Sequence, residues 1–218
     1  MALLQATIAV ELREVDLKHK PQALLQASVD ATVPVLDTRD GRVLVHSLDI
    51  MRWALAHNDA QHWLTRGDAS FNRWLVDTND GDFKLWLDRY KYAQRHPTHR
   101  PDDTRDEAVR CFVAPLEACL ARAPHVGGDG PCWADVAVFP FVRQFAAVDP
   151  TWWAVAPFPA TRHWLTQWCA SGLFAAGMHK PALWRPGDPP LVFPPQPILD
   201  HHCAGAQSVA SIAAHGAR

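Results

Sequence analysis

With 218 residues, 48% of them apolar and 20% charged, the chain has the composition of one large globular domain or two small ones. A formal net charge of −2 and the lack of a basic run disfavour nucleic-acid binding, which draws on a clustered Lys/Arg face. No apolar stretch reaches the roughly 18 residues that span a bilayer, so no membrane partner is expected, and the N-terminus shows no signal-peptide pattern.

The first six residues read as the last turns of an amphipathic helix with nothing capping its start. Val10, Leu12 and Val15 then stand among charged residues, as in a strand with one wet face. Pro21 to Ser28 reads as a short helix, and Val33-Pro34-Val35-Leu36 as a short apolar strand. Asp40-Gly41 signals a hairpin turn, and residues 42–46 are the returning strand. Ser47 is read as an N-cap, with Asp49 in the first turn of a helix that runs to about His57. The order α-β-α-β-β-α differs from a thioredoxin-type module only by its first strand.

From Asp59 onward strand patterns give way to helical ones. Phe83, Trp86, Leu87 and Tyr90 share one face, as do Val109, Phe112, Leu116 and Leu120, where Pro115 predicts a kink or a split. Residues 134–147 are apolar almost all round, as in the central helix of a bundle, with a bend expected at Pro140. Another helix is expected from Pro159 to Ala170. After Pro181 regular structure is expected to fade, leaving residues 186–218 as an extended, loosely ordered tail.

Five cysteines, an odd number without C-x-x-C, argue against a disulfide framework or a dithiol redox site. Cys111 and Cys119 read as inert buried thiols. His201-His202-Cys203 lacks a fourth ligand at sensible spacing, so no metal is expected. Asp135 reads as a cap of its own helix rather than a substrate ligand.

Lys18-His-Lys-Pro21, Val33-Pro34-Val35-Leu36, His46-Ser47 and Ala134-Asp135-Val-Ala-Val-Phe139-Pro140-Phe141 together resemble the glutathione transferases, closest to the omega-like bacterial groups. The resemblance implies a truncated thioredoxin-like α/β domain over 1–58 and an all-α bundle over 62–185. It implies glutathione as co-substrate, an electrophile or disulfide as second substrate, a homodimer and a cytoplasmic location. By resemblance the Val33–Pro34 bond is cis and the Val33 backbone pairs with the cysteinyl part of glutathione. Ser47 takes the γ-glutamyl carboxylate, and Lys20 reaches the glycyl end. Trp86, Tyr90 and Tyr92 are candidates for the wall of the substrate pocket, and also read as plain core or interface residues. Val33-Pro34 also reads as a strand edge, Ser47 as a cap alone, and Lys20 as a solvated surface lysine.

Two positions depart from the family pattern. His46 stands where an acid usually contacts the γ-glutamyl amine, and Cys132 where a hydroxyl usually caps the buried helix. The catalytic Cys, Ser or Tyr of the family falls before Met1, so the catalytic residue is unknown, Met1 is read as an internal methionine, and catalysis by this chain is expected to be impaired. A non-catalytic ligand-binding or interaction protein on the same fold is the alternative. A missing central strand with three buried aliphatic side chains removes about 5–9 kcal/mol of burial. That compares with a net stability of about 5–15 kcal/mol for a whole domain. The N-terminal half is therefore expected to be marginal, misfolded or completed by something else.

Overall fold

A computed structural model describes residues 1–195 and the backbone of 210–214. The chain divides into two compact units, one of Met1–Ala60 with the segment from Gly172 onward, the other of Gln61–Ser171. Residues 172–185, read from the sequence as part of the helical bundle, belong to the first unit. There Trp184 donates its amide to the Glu14 carbonyl at 2.8 Å.

The first unit runs α1 (Ala2–Gln5), β1 (Val10–Glu14), α2 (Gln22–Ala27), β2 (Val35–Asp37), β3 (Val43–Leu44) and α3 (Ser47–His57). Strand β1 alternates as its sequence demands: Val10, Leu12 and Glu14 are buried, and Glu11 and Arg13 are half-buried and ion-paired at 2.7 Å. The β2–β3 hairpin turns through Gly41, whose φ of +85° suits glycine and whose amide donates to the Thr38 carbonyl at 3.1 Å. The Thr38 hydroxyl lies between the Asp40 carboxylate and the Arg42 carbonyl. The Arg42 guanidinium on Asp40 holds that carboxyl well below the usual carboxylate range. Val15, Leu24, Ala31 and Val35 form a buried cluster beneath the sheet.

Two further strands close this sheet, β4 (Val192–Phe193) and β5 (Ala210–Ala214). The order is β3-β2-β5-β1-β4. Strand β5 runs parallel to β1 over five residue pairs and antiparallel to β2 over three. This corrects the expectation of a loosely ordered tail. A segment read as an appendage holds the central position of the sheet, the place where the sequence pattern lacks a strand. The physical reason is that β1 and β2 otherwise leave two facing rows of backbone N–H and C=O groups unpaired. Residues 196–209 and 215–218, which include His201, His202 and Cys203, lie outside the described residues.

The second unit is helical. Helices α4 (Ala69–Thr78) and α5 (Lys84–Lys91) are joined by a π-helical turn at Asn79–Phe83. Helices α6 (Pro101–Ala108) and α7 (Ala114–Leu120) are joined by a second at Val109–Val113. The second turn lies just ahead of Pro115, where a residue without an amide hydrogen breaks the regular ladder. Phe83 and Phe112, one on each π-helical turn, stack with ring centroids 4.2 Å apart and are fully buried. Helix α8 (Trp133–Val148) contains Pro140 and is buried along most of its length; α9 (Pro150–Val155) and α10 (Pro159–Ala170) follow, and α11 (Gly172–Gly177) begins the return to the first unit. Glu117 of α7 accepts from the Ala160 and Thr161 amides at 3.1 and 2.8 Å, capping α10 from another helix.

Candidate functional site

The hairpin register builds the candidate site. Leu36 pairs with Leu44 and Asp37 with Val43. Val33 and Pro34 lead into β2, and His46 and Ser47 follow β3 at the start of α3. The Val33–Pro34 peptide bond is cis, as the resemblance implies. Ala31, just upstream, is buried with a left-handed φ of +46°, a strained conformation for a residue with a Cβ.

Sequence and structure part over the start of α3. Ser47 is the first helical residue and His46 occupies the cap position, in extended conformation, its carbonyl accepting from the Ile50 amide at 3.0 Å. The His46 side chain makes no capping hydrogen bond. Ser47 and the first-turn amides stand at the positive end of the helix dipole. Ser47 and His46 are both exposed, and Val33 and Pro34 half-buried. Lys20 is exposed between β1 and α2 and pairs with no group among the described residues.

The aromatic candidates lie in the helical unit. Tyr90 is buried, tilted against Phe145 with centroids 5.5 Å apart, and burial raises its hydroxyl pKa. Trp86 carries the Arg89 guanidinium 4.7 Å above its ring. Tyr92 carries that of Arg95 at 4.3 Å.

Asp135 is buried, and its carboxylate accepts from four donors: the amides of Val126, Gly127 and Cys132 at 2.9, 3.2 and 2.9 Å, and the Trp164 indole at 2.8 Å. It fastens the 126–132 loop and α10 to the start of α8. Its geometry is that of a structural cap.

Burial pushes the Cys111 thiol up to about 11, and raises Cys119, Cys169 and most of all Cys132, which also faces Asp135. None of these four is a thiolate at neutral pH. The stability gained by keeping such a thiol neutral is complete below its unfolded-state value of 9.0 and is lost as pH rises through about 11 for Cys111. Melting curves from pH 8 to 11 are expected to show a shallower fall in a Cys111→Ser variant than in the parent. Identical slopes contradict the assignment.

A thioredoxin-type sheet with a cis-proline at the entry to one strand, carried together with an all-α bundle, defines the class of protein. Two family descriptions match: glutathione S-transferase, N-terminal domain, over residues 1–63, and glutathione S-transferase, C-terminal domain, over residues 102–167. Together they cover more than half of the chain, which belongs to the glutathione S-transferase superfamily. No match was found among curated proteins. Among solved structures, BphK, a bacterial GST in a ternary complex, is 20% identical with a TM-score of 0.58, covering 80% of this chain and 88% of its own. A family member from Pseudomonas fluorescens with two glutathione bound is 17% identical with a TM-score of 0.63, covering 81% and 84%. A glutathione transferase from Phanerochaete chrysosporium in complex with oxidized glutathione is 17% identical, also at 0.63, covering 80% and 85%. These likenesses establish the fold. No helix among the described residues is long and apolar enough to cross a membrane, and they contain no group of three or more potential metal ligands.

The sequence reading missed one feature of the helical unit, a cavity beside the start of α4. Its signal is present in the sequence as Phe71 and Trp74, an i, i+3 aromatic pair on a face that the core does not need.

Proposed function

We propose that the chain binds glutathione at the Val33–Ser47 junction and serves as a glutathione-dependent transferase. The observation that carries this reading is the cis Val33–Pro34 step at the entry to β2, in the same hairpin unit as the N-terminus of α3. The Val33 backbone N–H and C=O pair with the cysteinyl residue as a short added strand. The first-turn amides and the Ser47 hydroxyl hold the γ-glutamyl carboxylate, an anion at a helix N-terminus. Lys20, a flexible exposed cation, takes the glycyl carboxylate. The four described cysteines stay protonated, so the nucleophile is the thiolate of glutathione itself. It attacks an electrophilic carbon and displaces a leaving group, or attacks a disulfide sulfur and releases a thiolate. The chain acts as a homodimer in the cytoplasm, where its free thiols remain reduced.

His46 favours a second reading, a non-catalytic glutathione- or ligand-holding protein, because a neutral imidazole is a weaker partner than a carboxylate for the γ-glutamyl ammonium. Calorimetry tests the binding site. Ser47→Ala is expected to weaken glutathione binding by about tenfold, the loss of one charge-assisted hydrogen bond of about 1.4 kcal/mol. Unchanged affinity overturns the assignment. Turnover of a general electrophile at saturating glutathione separates the two readings.

A further inference from the structure

Within the first unit lies a cavity of about 150 Å³, bounded by β1, β2, α2 and Trp184. None of the residues assigned to glutathione lines it. Val15, Leu24, Ala27 and Val35 give it aliphatic walls. An apolar cavity of this volume takes a compact body of about six carbon atoms, the size of benzene.

Two opposite charges border this space, Arg13 from β1 and Asp37 from β2. Strand β5 runs between them, pairing Ala213 with both Arg13 and Val35, and Ser211 with both Glu11 and Asp37. The two outer strands therefore lie two ladder spacings apart, about 9–10 Å. Arg13 is held from two sides. Its Nε donates to Glu11 Oε1 at 2.7 Å, and its guanidinium carbon lies 4.6 Å from the centroid of the Trp184 ring. Its two outer nitrogens make no hydrogen bond among the described residues. The Asp37 side chain is exposed and has no hydrogen-bond or ion-pair partner among them. A pinned guanidinium with its outer edge free suits a carboxylate, and an uncommitted carboxylate at the other wall suits an ammonium. An α-amino acid carries both groups on one carbon and adds a side chain for the aliphatic walls.

We propose that this cavity binds a free α-amino acid with a branched aliphatic side chain. Its carboxylate meets Arg13, its ammonium meets Asp37, and its side chain lies among Val15, Leu24 and Val35.

L-Leucine is the probe, titrated calorimetrically against the full chain. Isocaproate, which lacks the ammonium, and isoamylamine, which lacks the carboxylate, are titrated beside it. One equivalent of leucine is expected to bind, and each analogue at least tenfold more weakly, the loss of one charge-assisted contact. Asp37→Asn is expected to weaken leucine about tenfold while changing isocaproate less than twofold. Ala27→Leu, at a half-buried position on α2, fills the cavity and is expected to weaken leucine at least as much. Leucine affinity is expected to be the same in saturating glutathione, whose γ-glutamyl end carries the same pair of groups. Displacement by glutathione makes the pair part of that site and overturns the proposal. Equal binding of the three ligands, equal losses of leucine and isocaproate in Asp37→Asn, or indifference to Ala27→Leu also overturns it. Absence of saturable binding by the parent chain at millimolar leucine does so without any variant.

Discussion

Replacing Asp135 by alanine is expected to lower the unfolding free energy by about 4 kcal/mol, a large fraction of a domain's net stability. The substitution strands four donors at once: three amides of the 126–132 loop and the Trp164 indole, all satisfied by one fully buried carboxylate. Each buried donor left unpaired costs about 1–3 kcal/mol, and partial entry of water lowers the sum. Trp164→Phe removes one of the four donors and keeps the acceptor, so its expected loss is about 1 kcal/mol. Urea titration followed by tryptophan fluorescence measures both. Similar stabilities for Asp135→Ala and Trp164→Phe contradict the view that the carboxylate organises the loop.

The second large effect belongs to the sheet. Ile212→Pro is expected to destabilise the first unit by about 3 kcal/mol or more, because proline removes a ladder donor from a strand paired on both sides. Without β5, β1 with β4 and β2 with β3 share no strand pairing. Amide hydrogen exchange is the readout: residues 10–14 and 35–37 are expected to lose protection in the variant. Retained protection there contradicts the central placement of β5.

Most of the fold is legible because its signals are local and physical. Ser47 to His57 shows its helix through an apolar stripe of Leu48, Met51 and Leu55, and α10 begins at Pro159 and ends at Ala170 as its pattern predicts. Where reading and structure part, the cause lies outside the local window. Ala210-Ser-Ile-Ala-Ala214 has one large apolar residue and low intrinsic strand preference, so nothing within it announces a strand. Its pairing is dictated by the open edges of β1 and β2, strands at the other end of the sequence. Ser47 carries the residue type of a cap, yet the helix starts one residue earlier in the ladder because the His46 carbonyl accepts the first bond.

The proposed glutathione-site residues are readable by family resemblance rather than by pattern. Val33-Pro34 and His46-Ser47 are 13 residues apart in sequence. The hairpin that turns at Asp40-Gly41 carries both pairs, one at each end. Trp86, Tyr90 and Tyr92 show the opposite case. Their helical spacing is plain, but a stripe of aromatics does not tell a core position from a pocket wall. Tyr90 is committed to the core beside Phe145, while Trp86 and Tyr92 carry arginines on their faces.

The site itself is tested most directly by titrating the isotopically labelled chain with reduced glutathione and following its backbone amide resonances. The largest shifts are expected at Val33 and Val35, beside the cis-proline step, and at residues 47–50, the first turn of α3. Saturable shifts confined to the helical unit, or none at millimolar glutathione, contradict a glutathione site at this junction.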